Sequence, residues 1–252
     1  MSYLDYIGRK IWYEEHGSGD PLFLLHGNTS SSRMFDSVLP LLSARYRVIT
    51  MDFLGCGRSE HVPDWPADLW YEWSRQALWL IESLGCRKVG IVGCSGGALA
   101  ALNAALECPE RISAVIADSF EGLRADPALT EQIRLGRAAA KKSDRFCQML
   151  RSLHGDDWEQ VLDADTKAVL AHAETVGSFC RRPIKELAVP LMLTGSEEDE
   201  MFPEGHYAGM FRDICRQTSL AQARIFPHGS HPAMLSNQHA FAALCQSFFP
   251  KT

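Results

Sequence analysis

Apolar and polar residues follow two patterns along the chain, which predict strands and helices in turn. Short continuous apolar runs are typical of strands buried on both faces of a parallel sheet, and apolar residues three or four positions apart are typical of helices. After an early hairpin strand at 7–17, the apolar runs predict strands at 21–27, 47–53, 88–94, 112–120, 189–195 and 221–227. The helical spacing predicts helices at 32–46, 68–85, 97–108, 205–216 and 237–249.

Strands that alternate with helices predict an α/β fold, with a mostly parallel central sheet of about eight strands and helices on both faces. The strand pattern stops from residue 121 to residue 187, where the segment is helical and charged. An insertion after the sixth strand lies above the carboxyl edge of the sheet, where the active sites of open α/β sheets are found. We therefore expect a core at 1–120 and 188–252 and a helical cap, or lid, at 121–187; a peripheral helical decoration is the alternative.

Composition and charge narrow the class of protein. The 252 residues carry a formal net charge of -6 and no basic run stands out, so nucleic acid is not an expected partner. The N-terminal segment has charges every few residues instead of an apolar signal region, and no stretch approaches the ~20 apolar residues of a membrane span. Eight cysteines are scattered without a C-x-x-C pair, which favours reduced thiols. These features predict a cytoplasmic protein that does not bind membranes.

The segment GCSGG at 93–97 combines a nucleophile with small neighbours. It matches G-x-S-x-G between a predicted strand and a predicted helix, the context in which that pattern forms a nucleophile elbow. The sharp turn strains the serine backbone and crowds the positions two before and two after it, where only small residues fit. Ser95 therefore takes the apex beside the helix N-terminus, which favours a developing negative charge. Cys94 takes the next position, whose side chain packs against the sheet.

Five segments in this order resemble the α/β-hydrolase superfamily, of the lid-bearing serine esterase type: HGN at 26–28, DFLGCGRS at 52–59, GCSGG at 93–97, LTGSEEDE at 193–200 and GSHPAMLSN at 229–237. The resemblance covers nearly the whole chain and implies the α/β-hydrolase fold. A fainter similarity, in ADSFEG at 117–122, is to the valacyclovir-hydrolase-like branch. That branch has an acid directly after the nucleophile to bind an amine. Gly96 stands there in this chain, which leaves Asp118 or Glu121 as substitutes.

The resemblance assigns three roles beside the elbow. It implies Ser95 as nucleophile and His231 as general base, with His228 as the rival base three residues earlier. It also implies an oxyanion hole made of two backbone N–H groups, those of Asn28 and Gly96. Because the catalytic groups carry their own chemistry, no metal and no cofactor is expected.

The acid that orients the base is less certain from sequence than the base itself. The resemblance implies an aspartate three or four residues after the glycine that ends a strand, and Asp199 lies four residues after Gly195. Glu198 lies at the three-residue spacing and is one alternative. Asp118, at the end of the preceding predicted strand, is the other. The sequence leaves these alternatives open.

The function that the resemblance implies is carboxylic ester hydrolysis through an acyl-enzyme, on a small or medium, partly apolar substrate. The same triad could act on a C–C bond, thioester, amide or peracid, and a non-catalytic ligand-binding receptor on a hydrolase scaffold is a further alternative. The expected partner is a small-molecule substrate, and a homodimer stays open. The candidate pocket residues, which otherwise pack within cap or core, are Thr29, Asp118, Glu121, Trp158, Phe179, Met201 and Phe202.

Overall fold

A sheet of eight strands runs through the computed structural model, which describes residues 2–249. Its strands are β1 (Ser2–Tyr6), β2 (Arg9–His16), β3 (Pro21–Leu25), β4 (Arg47–Asp52), β5 (Val89–Cys94), β6 (Ile112–Asp118), β7 (Leu191–Ser196) and β8 (Ala221–Phe226). The strand order is β1-β2-β4-β3-β5-β6-β7-β8. The pairs β1–β2 and β2–β4 are antiparallel, and all other neighbours are parallel. The predicted mostly parallel sheet is confirmed.

The edge strand β1 is the strand that the apolar pattern did not predict. Its sequence, SYLDY, has no continuous apolar run, and most of its residues are exposed. Since an edge strand needs only one neighbour, its pairing with β2 comes from backbone hydrogen bonds rather than from burial on both faces.

Helices connect the strands and cover both faces of the sheet. They are α1 (Leu39–Ser43), α2 (Leu69–Ser83), α3 (Gly96–Glu107), α4 (Pro127–Ala140), α5 (Asp144–His154), α6 (Trp158–Thr175), α7 (His206–Gln217), α8 (Ala233–Ser236) and α9 (Gln238–Phe248). Short 3-10 turns lie at Ser32–Phe35, Pro109–Arg111 and Ile184–Glu186.

The predicted helix at 32–46 is wrong in its extent. A 3-10 turn and the short helix α1 replace it, with a break between them. Pro40 explains the break, because it lies in the first turn of α1, where a missing N–H costs no hydrogen bond. Inside a longer helix, its ring would clash with the carbonyl group of Asp36.

Alternate residues of the central strands face two separate hydrophobic cores. In β5, Ile91 packs in the core under α2 and α3, and the next residue, Val92, packs in the core under α1 and α9. Both side chains are fully buried. Successive side chains of a strand point to opposite faces, so burial on both faces requires a continuous apolar run.

Three helices, α4, α5 and α6, are inserted between β6 and β7. Leu150, Trp158 and Leu162 form a small hydrophobic cluster between α5 and α6. Residues of all three helices line the same cavity as Ser95, which follows the carboxyl end of β5. The division into a core at 1–120 and 188–252 and a cap at 121–187 stays a prediction. Within residues 2–249, no helix has the length and apolar character that a membrane span requires.

Candidate active site

Ser95 lies at a strained turn between β5 and α3. Its backbone has φ 53° and ψ -125°, in the positive-φ region that residues with a side chain rarely adopt. The turn is tight because a Cβ atom on Gly93 would overlap the carbonyl oxygen of Gly97, and one on Gly97 would overlap that of Leu25. The close approach of three backbone segments therefore requires the outer glycines of GCSGG.

The neighbouring Cys94 faces the core instead of the cavity. Its side chain is fully buried, and its Sγ atom lies 3.8 Å from the carbonyl oxygen of Leu25 and 3.7 Å from Sδ of Met34. Burial raises the pKa of this thiol well above its ordinary value, so the thiol stays protonated near neutral pH. Of the two adjacent candidate nucleophiles, Ser95 thus lines the cavity and Cys94 is buried in the core.

His231 and Asp199 are brought together by the loops that follow β8 and β7. Nδ1 of His231 lies 2.9 Å from Oδ2 of Asp199, whose side chain is 1% exposed. Burial raises the pKa of Asp199, but hydrogen bonds from His231, Tyr207 and the Met201 N–H outweigh it and hold that pKa below its ordinary value. An ionised carboxylate at this place keeps the proton on Nδ1 and leaves Nε2 as the proton acceptor.

Tyr207 is a partner of Asp199 that the sequence analysis missed. Its hydroxyl group donates to Oδ2 of Asp199 at 2.6 Å, and its side chain is buried in the first turn of α7. The available signal was the spacing of Tyr207, Phe211 and Ile214, which marks the buried face of a helix. A buried phenol needs a hydrogen-bond partner, which here is the carboxylate one loop earlier.

Glu198, the first alternative acid, binds the rival histidine. Its Oε1 lies 2.9 Å from Nδ1 of His228, and its Oε2 accepts from the Gly229 N–H at 3.3 Å. Both side chains of this pair are exposed. The structure thus separates two carboxylate–histidine pairs, Glu198–His228 on the surface and Asp199–His231 at the cavity.

Asp118, the second alternative acid, lies beneath the loop that carries His231. Its Oδ1 accepts from the hydroxyl group of Thr194 at 2.6 Å, and its Oδ2 accepts from the Met234 N–H at 3.0 Å. Burial raises the pKa of Asp118 to about 6, against the opposing effect of these hydrogen bonds and of His231. The carboxylate holds the start of α8 rather than the imidazole ring.

A cavity of about 400 Å³ opens at Ser95 and His231. This volume lies in the range of small-molecule sites, roughly 300 to 1,000 Å³. Four of the predicted pocket residues line it, namely Thr29, Glu121, Met201 and Phe202. The inserted helices contribute most of the remaining wall, including Ile133 and Arg137 of α4, which the sequence analysis missed.

Three predicted pocket residues lie elsewhere, and their placement in the wall was wrong. Trp158 packs against Leu150 inside the inserted helices. Phe179 is 1% exposed and contacts the Trp70 ring edge to face, with ring centroids 4.8 Å apart. Asp118 is buried under the His231 loop. The sequence alone does not show whether an apolar side chain in the predicted cap lines the cavity or packs between helices.

Asn28 and Gly96 approach each other beside Ser95. Gly96 is the first residue of α3, where a backbone N–H has no acceptor within the helix. A Cβ atom on Gly96 would overlap the side-chain oxygen of Asn28. That oxygen accepts from Nε1 of Trp70 at 2.9 Å, and the Asn28 amide donates to Asp165 at 2.9 Å. Trp70 and Asp165 were also missed by the sequence analysis.

Glu121 brings a carboxylate to the cavity wall without a hydrogen-bond partner for one oxygen. Its Oε2 is buried and has no partner within the described part of the chain. Burial raises the pKa of Glu121 to about 7, and the charge of Asp126 acts in the same direction. Near neutral pH this carboxyl group therefore exchanges between its protonated and ionised forms.

Comparison with known proteins agrees with this architecture. A family model described as the alpha/beta hydrolase family matches residues 22–244, and the chain belongs to that family of hydrolases. Human serine hydrolase BPHL is 26% identical over 255 residues, which cover 96% of this chain and 83% of the human protein. A 2-hydroxy-6-oxo-6-(2'-aminophenyl)hexa-2,4-dienoic acid hydrolase of Metapseudomonas resinovorans is 25% identical, covering 97% of this chain and 89% of that protein.

A solved structure shows the same fold at lower identity. The crystal structure of a hydrolase from Pseudomonas aeruginosa superposes with a TM-score of 0.77 and 20% sequence identity, covering 98% of this chain and 97% of that one. The α/β-hydrolase fold predicted from the five segments is therefore confirmed.

Proposed function

We propose that this protein hydrolyses carboxylic esters of small or medium, partly apolar substrates, with Ser95 as nucleophile, His231 as general base and Asp199 as the acid that orients it. One observation carries the proposal: the 2.9 Å hydrogen bond between His231 Nδ1 and Asp199 Oδ2 lies at the cavity that Ser95 also lines. The strained backbone of Ser95 supports it, because an elbow of this kind presents the serine hydroxyl at the start of a helix.

In the first half of the proposed reaction, Oγ of Ser95 attacks the ester carbonyl carbon while Nε2 of His231 takes the hydroxyl proton. The carbonyl oxygen becomes an oxyanion, for which the backbone N–H groups of Asn28 and Gly96 are the proposed donors. Backbone donors that are already in place cost no reorganisation when the charge develops. The intermediate collapses, and the alcohol leaves with the proton that His231 returns.

In the second half, His231 takes a proton from a water molecule, and the resulting hydroxide attacks the acyl carbon. The Ser95–acyl bond breaks as the proton returns to the serine oxygen, so the free acid and the starting enzyme are regenerated. Asp199 stays ionised and stabilises the imidazolium in both halves. Its lowered pKa supports this role.

The cavity supports the proposed size and polarity of the substrate. Its volume of about 400 Å³ suits a small molecule, and its wall includes Leu99, Ile133, Val169 and Phe202 beside a few polar groups. An apolar wall with few polar groups binds a partly apolar substrate and leaves orientation to those groups.

Cleavage of a carbon–carbon bond beside a ketone is a second candidate. The observation that favours it is the similarity, over nearly the whole chain, to a relative named as a hydrolase of an oxo-dienoic acid. The same nucleophile and base could act on a ketone carbonyl, with a carbon leaving group instead of an alcohol. Ester and diketone substrates therefore need to be compared directly.

The test is turnover of a panel of p-nitrophenyl esters, thioesters, lactones and diketones by the wild-type protein and by Ser95→Ala, together with labelling by a fluorophosphonate probe. We expect ester turnover that falls by at least about 10³-fold in Ser95→Ala, and labelling that disappears. Retained turnover or labelling in this variant contradicts the proposal. Ser95-dependent turnover that favours diketones by kcat/KM replaces the ester proposal with the second candidate.

A further inference from the structure

One carboxylate of the inserted helices contacts the loop that follows β3. Asp165 lies on α6, and its side chain is fully buried. Its Oδ2 accepts a hydrogen bond from the side-chain amide of Asn28 at 2.9 Å and another from the backbone N–H of Thr29 at 3.1 Å. Hydrogen bonds to a buried charged group are among the stronger ones in proteins, so these two fix the loop relative to α6.

His154, at the end of α5, binds the same loop through the carbonyl group of Thr29. Its Nδ1 accepts from the backbone N–H of Gly57 at 2.9 Å, so the ring proton is on Nε2, which faces the carbonyl oxygen of Thr29 at 3.2 Å. Burial lowers the pKa of His154 to about 4, which keeps the ring neutral with one donor and one acceptor. The N–H and the carbonyl group of Thr29 are thus both bound by inserted helices.

The backbone at Thr29 needs such support. Its φ is 55°, a value that is strained for a β-branched residue. A strained residue persists only where its surroundings over-determine it. Asn28 immediately precedes Thr29, so the orientation of the Asn28 backbone N–H depends on the contacts that fix Thr29.

Arg137 makes the buried charge of Asp165 tolerable. Nη1 of Arg137, on α4, lies 2.7 Å from Oδ1 of Asp165 and 3.0 Å from the hydroxyl oxygen of Thr166. A buried carboxylate is destabilising unless it is paired and hydrogen-bonded, and here each oxygen has its own donors. One oxygen binds α4, and the other binds the loop.

We propose that Asp165 is a positioning residue for the proposed hydrolysis: it holds the loop of Asn28 and Thr29 so that the Asn28 backbone N–H points at the developing oxyanion. The proposal rests on the proposed function, in which that N–H is one of two oxyanion donors. Among the described residues, Asn28 and Thr29 line the cavity and Asp165 does not, so Asp165 acts through the loop and not on the substrate. An oxyanion donor stabilises the transition state more than bound substrate, so its displacement lowers kcat rather than raising KM.

The experiment measures kcat, KM and the inhibition constant of a trifluoromethyl ketone for Asp165→Asn and Asp165→Ala, on the ester that the wild-type protein turns over fastest. We expect kcat to fall by about 10- to 100-fold with KM within about threefold, and the ketone to bind more weakly by about the same factor as the loss in kcat/KM. Asp165→Asn keeps the shape of the side chain and one acceptor oxygen, so its kcat is expected to fall less than that of Asp165→Ala.

The matched control is Asp163→Ala, on the same helix. Asp163 is an exposed carboxylate paired with Lys141 at 2.5 Å, and both of these groups lie outside the loop contacts of Asp165. Its removal leaves kcat and ketone binding unchanged. A double-mutant cycle with Asn28→Ala provides a second readout. If Asp165 acts through Asn28, the losses in kcat of the two single variants are clearly less than additive in the double variant.

The outcomes separate this proposal from the proposed function. A wild-type protein that neither turns over esters nor reacts with fluorophosphonate contradicts the proposed function, and the positioning role fails with it. Normal wild-type turnover with unchanged kcat and ketone affinity in Asp165→Asn overturns the positioning role alone. A raised KM at unchanged kcat also overturns it, because that result indicates a pocket wall. Where Asp165→Ala does not fold, Asp165→Asn decides.

Discussion

Glu198 and Asp199 are neighbours in sequence, yet they hydrogen-bond to different histidines. Glu198 pairs with His228 on the surface, whereas Asp199 pairs with His231 at the cavity, each at 2.9 Å. The chain turns between the two carboxylates, so one side chain points outward and the other inward. The sequence spacing did not distinguish these two adjacent acids, but in the structure their side chains have different surroundings.

The first prediction concerns these acids. Asp199→Asn is expected to lower kcat by about 10³- to 10⁴-fold, because an amide N–H beside Nδ1 favours the tautomer that carries its proton on Nε2. Glu198→Gln and Asp118→Asn serve as controls and stay within about tenfold of the wild-type protein. Steady-state kinetics on one ester compares all three. Full activity in Asp199→Asn together with loss of activity in Asp118→Asn contradicts the assignment of Asp199 as the acid that orients His231.

The second prediction concerns the pair Cys94 and Ser95. Cys94→Ala is expected to retain kcat/KM within about threefold, because its thiol is buried in the core and has a raised pKa. The free energy of unfolding is expected to fall by about 1 kcal/mol through the lost sulfur contacts. Ester kinetics and urea denaturation measure these two effects. A loss of activity as large as that of Ser95→Ala, in a folded protein, shows the expectation to be wrong.

The third prediction concerns the hydroxyl group of Tyr207. Tyr207→Phe removes one donor from the buried Asp199 carboxylate, and such bonds contribute about 1.5 to 3 kcal/mol. We expect the pH profile of kcat/KM to drop by about tenfold or more across its range, and the pKa of Asp199 to rise, because the carboxylate loses one hydrogen-bond donor. The exposed Tyr3 offers the control Tyr3→Phe, which leaves the profile in place. An unchanged profile in Tyr207→Phe rules out an influence of this hydroxyl group on the acid.

The fourth prediction uses the raised pKa of Glu121. Its ordinary pKa is 4.5 and its folded-state pKa is about 7, so the folded state holds the proton more tightly than the unfolded chain does. This contribution to stability is fully present below the unfolded pKa and is lost as the pH rises through the folded pKa. Glu121→Gln removes it.

Relative to the wild-type protein, Glu121→Gln is therefore expected to gain roughly 2 to 3 kcal/mol in free energy of unfolding between about pH 5 and about pH 8. Urea denaturation at both pH values measures the gain. Glu174 is exposed, and Glu174→Gln is the control that shows no such change. An equal difference between variant and wild type at the two pH values refutes the expectation.

Much of the fold was determined by local sequence. A strand buried on both faces is predominantly apolar, so β3 through β7 are visible in the sequence as nearly continuous apolar runs. The elbow at Ser95 is visible because close backbone approach leaves no room for side chains at Gly93 and Gly97. β1 and the break before α1 were not visible, because edge pairing and the tolerance of a proline depend on neighbours in space.

The surroundings of side chains were decided only by the tertiary structure. The sequence could not choose between Glu198 and Asp199, nor show that Trp158 and Phe179 face packing instead of the cavity, because spacing does not fix where a loop or helix face points. Asp165 left one local signal, a carboxylate in the buried stripe with Leu162 and Val169. Its partners in the loop after β3, Asn28 and Thr29, lie more than a hundred residues earlier, so only the packing of α6 against that loop shows what the carboxylate holds.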